Sequence, residues 1–296
     1  MSERYPGLTL FADTDCDITP EMAAEWGYTL IPMPYTLDGA EVFPYRDGAP
    51  LDIQAFYHRL REGATPKTSG LSPADYIALF EPVLQRGDDI LYPHFSARLS
   101  STFNAMRIAI ETLRNRYPDR QIVTLDTKAI TGMALCILEE IAHLAQVGTT
   151  LQEIVRIAQA ELIPHFAFFA YATDLQFFRR SGRLSGLSAF VGGALGVRPI
   201  ISIDDEGHMG AIDKAVGTRA ALAKIHRAMS TLGEDMAQHP LYIVHSDARQ
   251  EAEELAAAIR ERYGVEAKII WINPTAGVHC GPGCLGVAFH AGRRSL

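Results

Sequence analysis

The stretch VHCGPGCLG, Val278 to Gly286, gathers one histidine, two cysteines, one proline and three glycines into nine residues. Three occupants suit such a composition: a zinc ion, a reactive thiol pair, or the charged head of a ligand. Zinc asks for about four ligands, and a CxxxC pair with the histidine next to its first cysteine is poor geometry, because sequence neighbours rarely both reach one ion. No CxxC pair or distant histidine cluster completes the set, so no metal site is expected. The GPG segment reads instead as a tight turn that fixes where His279 points. Its ring is able to donate to an anion, and the competing assignment is a part-buried histidine with a backbone partner.

Hydroxyl groups recur where a ligand head would need them. PHFSARLSSTFNA places Ser96 at the tip of a strand and Ser100, Ser101 and Thr102 at the start of the next helix. Free backbone N–H groups and the helix dipole make such a terminus an anion site, although one hydroxyl there is also what ordinary N-capping requires. TPKTSGLSPADY supplies Thr68 and Ser69 before Gly70, in a turn between two helices, and FFRRSGRLSG sets Arg183 just after Gly182, free to reach an anionic head. Ser96 and His279 also have the types of a nucleophile and its base, the basis of an alternative reading as a hydrolase or acyltransferase. A triad further needs an orienting carboxylate and an oxyanion hole, and sequence locates neither. GxxxxGK[ST], GxGxxG after the first strand, GxSxG and HExxH are all absent.

The elements that must position these groups alternate in the first half. LTLFADTD is a strand ending in an acidic turn, and PEMAAEWG is a helix opened by proline and closed by Gly27. YTLIPMPYTL is extended, DIQAFYHRLREG helical, and SPADYIALFEPVLQRG a helix with Ser72 as N-cap and Pro73 at its first position. DDILYPHFS and QIVTLDT are strands, each followed by a long helix. This order predicts a parallel, layered α/β domain over residues 1–160. From 161 to 296 the pattern is mixed: an aromatic-rich strand around Phe166, Phe168 and Phe169, then RPIISIDDEGHMGAIDKAVG as a hairpin turning at DDEGH, then helix, strand, helix, strand. That predicts an α+β C-terminal domain. SAFVGGALGVRP, Ser188 to Pro199, reads as a helix interrupted by Gly192, Gly193 and Gly196, where close packing or space for a ligand offsets about 1 kcal/mol per glycine.

The 296 residues are 48% apolar and 21% charged, enough to bury a sizeable core. A formal charge of −8 gives no basic face for nucleic acid or an anionic membrane. Four cysteines are too few for a disulfide scaffold, and neither a signal peptide nor a membrane-spanning run is evident. A cytoplasmic protein is expected.

Read in order, FADTDCDIT with IPMPYTLDG, KTSGLSPADYIALFE, HFSARLSSTFNAM, IVTLDTKAITGM, FFRRSGRLSG with GVRPIISIDDEG, and HCGPGCLGVAF make the chain resemble the DegV family of bacterial fatty-acid-binding proteins, from about Leu8 to Phe289. The resemblance implies two α/β lobes with a long-chain fatty acid between them and no other cofactor. It implies a non-catalytic subunit that presents the acid to a separate ATP-dependent fatty acid kinase and holds the acyl phosphate for phospholipid synthesis. By the same resemblance Thr68, Ser69, Ser96 and His279 hold the carboxylate and Arg183 lies near the pocket mouth, with Ser100 and Ser101 as further head-group or partner contacts.

The departures from the family pattern are Asp13-Thr14-Asp15 for its Asp-Ser-Ser/Thr opening, Ser96-Ala97 for Ser-Ser, Ser101 for the glycine of Leu-Ser-Gly-Thr, and Ser181 for the first glycine of Gly-Gly-Arg. Val216 replaces the arginine of Lys-x-Arg-Gly. About 0.8 kcal/mol per buried CH₂ gives roughly 11 kcal/mol for about 14 methylenes, against association costs of about 4–15 kcal/mol. Tail burial would therefore set affinity and the head group would set orientation.

Overall fold

The computed structural model describes residues 6–186 and 196–296. The strand β1 (Leu8–Asp13) leads through a short 3₁₀ turn, Thr14–Cys16, to α1 (Pro20–Trp26). Thr19 accepts the Met22 N–H at 3.3 Å, Pro20 occupies the first turn, and Gly27 closes the helix at φ 79°. Next come β2 (Tyr28–Ile31), β3 (Tyr35–Leu37), β4 (Ala40–Val42), α2 (Ile53–Arg61), β5 (Lys67–Thr68) and α3 (Pro73–Gln85). At α3, Ser72 and Asp75 form a reciprocal capping box, Ser72 Oγ accepting the Asp75 N–H while the Asp75 carboxylate accepts the Ser72 N–H. β6 (Asp89–His94), α4 (Thr102–Arg116), β7 (Ile122–Asp126) and α5 (Thr131–Gln146) complete this half. Its main sheet has the order β2-β1-β6-β7 and is parallel throughout.

A helix α6 (Leu151–Ile157), extended by a π-helical turn over Ala158–Leu162, leads to β8 (Phe166–Tyr171) and α7 (Leu175–Ser181). The hairpin β9 (Val197–Ile203) and β10 (Met209–Val216) is followed by α8 (Thr218–Leu232), β11 (Tyr242–His245), α9 (Arg249–Tyr263), β12 (Lys268–Trp271), α10 (Pro274–Cys280) and β13 (Leu285–His290). These strands form a mixed six-stranded sheet, β10-β9-β8-β13-β11-β12, in which only β11 and β12 run parallel. A small antiparallel sheet, β4-β3-β5, sits beside the first. Mixed α/β architecture was expected, and it is what forms.

The layer between the two large sheets is α5. It is buried nearly all round, and at Gly132 an added Cβ would lie 2.5 Å from Val244 Cγ1 of β11, so glycine lets the helix touch the sheet. One apolar core consequently runs from Phe11 through Leu135 and Leu138 to Val244 and Ala288, across the sequence position 160. A second core lies between the outer face of the six-stranded sheet and α8 and α9. Polar contacts also tie the halves together. Ser96 Oγ donates to the Gly207 carbonyl at 2.8 Å and Lys128 Nζ to the Asp205 carbonyl at 2.9 Å, both at the β9–β10 turn. Arg294, 1% exposed, donates to the carbonyls of Thr127 at 3.1 Å and Lys128 at 2.9 Å.

Three elements differ from expectation. The FFRRSGRLSG segment, given no helix from the sequence, begins inside α7, a helix too short to show a period. Asp174 accepts the Gln176 N–H at its start, Phe177 and Phe178 are buried, and Gly182 closes it at φ 68°. VHCGPGCLG is not one loop either: Val278, His279 and Cys280 end α10, Gly281–Gly283 turn, and Leu285 and Gly286 open β13. The Asn273-Pro274 pair was its start signal, with Asn273 accepting the Thr275 N–H at 3.0 Å. Thr68, read in a turn, belongs to β5. Within Ser188–Pro199, residues 188–195, with Phe190, Gly192 and Gly193, lie outside the described residues. Gly196 turns at φ 83° into β9. Among the described residues no helix is long and apolar enough to cross a membrane.

Candidate functional site

A cavity of about 160 Å³ lies where the loops leaving the parallel sheet meet the inner face of the six-stranded sheet. Ligands in α/β sheets bind at such strand-end loops. The parallel side contributes Asp15 after β1, Phe95 and Leu99–Ser101 after β6, and Ile130 and Thr131 at the start of α5, joined by Thr68 at the end of β5 and Ser69 after it from the small antiparallel sheet. The other side contributes an apolar floor, Phe168 and Ala170 of β8, Ile201 of β9 and Met209 of β10, closed by Phe178 of α7 and by α10. Alternation along β8 explains the choice: Phe168 and Ala170 face inward, whereas Phe169 packs into the second core. Of the aromatic residues on β8 and α7, Phe168 and Phe178 line the space, while Phe166 and Phe177 are buried elsewhere.

Two expected head-group residues meet. Thr68 Oγ1 and His279 Nε2 are 3.2 Å apart, joining β5 to α10. Several contacts fix α10. Asp17 accepts the Asn273 N–H at 2.7 Å, Thr275 Oγ1 donates to the Met33 carbonyl at 2.8 Å, and Tyr57 donates to the Ile272 carbonyl at 2.8 Å. After the helix, Gly281 has φ 67°, and a Cβ there would lie 2.2 Å from Phe177 Cδ2. Burial, with Arg183 nearby adding repulsion, lowers the His279 pKa to about 4. The imidazole is therefore neutral near pH 7, and its Nδ1 is a buried atom with no hydrogen-bond partner among the described residues.

Ser69 lines the cavity and donates its hydroxyl to Glu41 at 2.9 Å. Arg183 also lines it, following the Gly182 turn, and its guanidinium donates to the Ser181 and Leu99 carbonyls. Ser100 and Ser101 line it too. Ser100 Oγ accepts the Thr102 N–H at 3.2 Å, whereas Ser101, the N-cap residue of α4, makes no side-chain cap bond.

Ser96 stands apart. It is fully buried, its Oγ bonds Gly207 and accepts the Arg98 N–H, and it is not among the cavity-lining groups. Gly207 comes so close that a Cβ on it would sit 2.4 Å from that oxygen. No Ser96–His279 hydrogen bond forms, because His279 Nε2 faces Thr68 and Ser96 faces the hairpin turn. Val216, 73% exposed at the end of the edge strand β10, lies away from the cavity wall.

Cys280 and Cys284 are free and buried, and Cys284 Sγ donates to the Cys280 carbonyl at 3.3 Å. The Cys284 contact and burial push the Cys280 pKa up, away from thiolate chemistry. Among the described residues no cluster of three or more histidines, cysteines or acids is arranged to hold a metal ion.

Among the polar groups in the wall not singled out as site residues in the sequence are Asp15, Thr131 and Thr275, the last held by the Met33 carbonyl. An acid directly after a β1 run of buried residues was a usable signal for Asp15. Thr131 has none, because its place depends on a backbone at φ 52° that its side chain does not advertise.

The protein-family model described as "Uncharacterised protein, DegV family" matches residues 8–292. A DegV domain-containing protein of Clostridium perfringens is 30% identical over 284 residues, 95% of this chain and 97% of that one. A DegV-family protein of Ruminococcus gnavus, solved with vaccenic acid, superposes with TM-score 0.84 at 21% identity, covering 95% of this chain and 99% of that one. The Streptococcus pneumoniae fatty acid kinase (Fak) B3 protein loaded with linoleic acid gives 0.82 at 20% identity, covering 96% and 99%. Family match and shared fold agree over nearly the whole length, and the chain belongs to the DegV family.

Proposed function

We propose that the protein binds one long-chain fatty acid, tail against the apolar floor and carboxylate at the Thr68–His279 end, as the non-catalytic partner of an ATP-dependent fatty acid kinase. The observation that carries this reading is the cavity itself, apolar on the six-stranded-sheet side and ended by the Thr68–His279 contact. Solved relatives of the same fold hold vaccenic and linoleic acid, and one is named for the kinase system, which supports both halves of the proposal.

A carboxylate taken out of water needs partners. The Thr68–His279 pair leaves one proton for the ligand, the Thr68 O–H when Nε2–H donates to Thr68 or the Nδ1–H when Thr68 donates to Nε2, and Ser69 supplies a second O–H when it turns from Glu41 to the acid. Each such charge-assisted bond is worth about 1.5–3 kcal/mol. Since His279 is uncharged, Arg183 supplies the balancing positive charge from the mouth. Ser100 and Ser101 beside it are the surface on which a kinase delivers phosphate: a carboxylate oxygen attacks the γ-phosphorus of ATP, ADP leaves, and the acyl phosphate stays bound for lipid synthesis. Ser96 acts here by holding the wall rather than by touching the acid. The hydrolase alternative draws no support from the Ser96 and His279 contacts.

The test uses delipidated protein and a titrated long-chain acid. Thr68→Val and His279→Ala are expected to weaken binding about 10- to 100-fold each, and the chain with ATP alone to form no acyl phosphate until a fatty acid kinase is added. Unchanged affinity in both variants, or ATP turnover by the isolated chain, would overturn the proposal.

A further inference from the structure

The run Asp13–Asp17 bends through the 3₁₀ turn after β1, and every side chain in it but one is engaged by the fold. Asp13 accepts from Tyr92 Oη at 3.0 Å and from the Phe95 N–H at 3.1 Å. Thr14 accepts the Met33 N–H at 3.0 Å, Cys16 bonds Asp13 at 3.5 Å, and Asp17 accepts the Asn273 N–H at 2.7 Å. Asp15 is only 6% exposed, lines the cavity, and its carboxyl has no hydrogen-bond partner among the described residues. α5 packs against this turn and brings a second group to the same wall. Thr131, 7% exposed, lines the cavity, and its Oγ1 is a buried atom with no hydrogen-bond partner among the described residues. That hydroxyl does not cap its helix, whose N-cap residue is Ile130. Its φ of 52°, rare for a branched residue, sets its direction.

Two buried polar groups left unpartnered in the cavity wall cost free energy that a ligand recovers by bonding both. We infer that Asp15 and Thr131 form a second polar subsite that selects a fatty acid carrying a hydroxyl on its chain over the unsubstituted acid. This rests on the fatty-acid reading and specifies the substrate within it. A ligand hydroxyl can donate to one group while accepting from the other, which an alkyl chain cannot. An ammonium fits less well: burial and the neighbouring Asp13 and Asp17 raise the Asp15 pKa, favouring the uncharged carboxyl.

The experiment compares octadecanoic acid with its monohydroxy derivatives, the hydroxyl moved one carbon at a time, on delipidated full-length protein. At least one positional isomer is expected to bind about 10-fold more tightly than the parent acid. Asp15→Leu removes that preference while keeping or improving affinity for the parent. Asp15→Asn, still a donor and acceptor, retains it. Thr131→Val, which exchanges one oxygen for a methyl group, reduces it in a chain that keeps every other contact. If no isomer binds better than the parent, or the preference survives both Asp15→Leu and Thr131→Val, the inference is wrong and the fatty-acid reading stands. If wild-type protein binds none of these acids, both fall together.

Discussion

The two walls of the cavity are built on opposite principles. The parallel-sheet side is made mostly of residues at strand ends and in the loops that follow them, in a frame held by contacts such as Tyr92–Asp13–Phe95. The mixed-sheet side is made of one strand face, where space comes from small residues: Ala170 lies opposite Gly286, and a Cβ on Gly286 would lie 2.8 Å from the Ala170 Cβ. On the proposed function, one wall reads the head and the other accommodates the tail. Groups that discriminate sit on adjustable loops, while the part that sets affinity sits on a hydrogen-bonded sheet.

Filling the sheet wall should produce the largest effect. Ala170→Phe would exclude about four methylenes, on the order of 3 kcal/mol or 100-fold in fatty-acid affinity, while the hydroxyls opposite stay intact. Equal affinity in a titration of the folded variant would show that the tail lies elsewhere. Close behind is Gly281→Ala, since its φ of 67° and the 2.2 Å approach to Phe177 leave no room for a methyl. About 3 kcal/mol of lost stability is expected in denaturant unfolding, together with weaker acid binding as His279 moves.

The histidine also gives the contrast a pH signature. Its folded pKa of about 4 lies below the unfolded value of 6.5, so the stability it contributes is present above pH 6.5 and is lost as pH falls through 4. His279→Gln should flatten that part of the stability profile, by up to about 3 kcal/mol. Asp13 works with the opposite sign. Burial raises its pKa from 3.8 to about 6, so its contribution is complete below 3.8 and is lost as pH rises through 6. An identical profile for His279→Gln and wild type would mean that the ring is charged and solvated. The smallest effect is expected at Ser96. Ser96→Ala leaves the Gly207 carbonyl without its hydroxyl partner and should cost about 1 kcal/mol in stability, with acid affinity falling less than in Thr68→Val. A larger affinity loss in Ser96→Ala than in Thr68→Val would make Ser96 a ligand of the head group.

The difference between the walls also explains what could be read in advance. Apolar runs, proline at first turns and caps such as Ser72 marked the parallel half, because those signals are local. The pairing of Thr68 with His279 spans 211 positions and was accessible only through family resemblance. Ser96 has a contact that was hidden for a related reason: a hydroxyl at a strand tip looks available until the β9–β10 turn, more than a hundred residues on, is seen to accept from it. α7 and α10, seven residues each, are too short to show periodicity, so their arginines and histidine looked like loop residues. Thr131 was hidden in its backbone angle, which no residue type announces.

The central claim is that the space between these walls holds an aliphatic acid. Native mass spectrometry of protein purified without added lipid tests it most directly. The account predicts a 1:1 adduct whose released mass is that of a single long-chain carboxylic acid, absent from Ala170→Phe. Protein that carries no such adduct and acquires none on incubation with long-chain acids would contradict it.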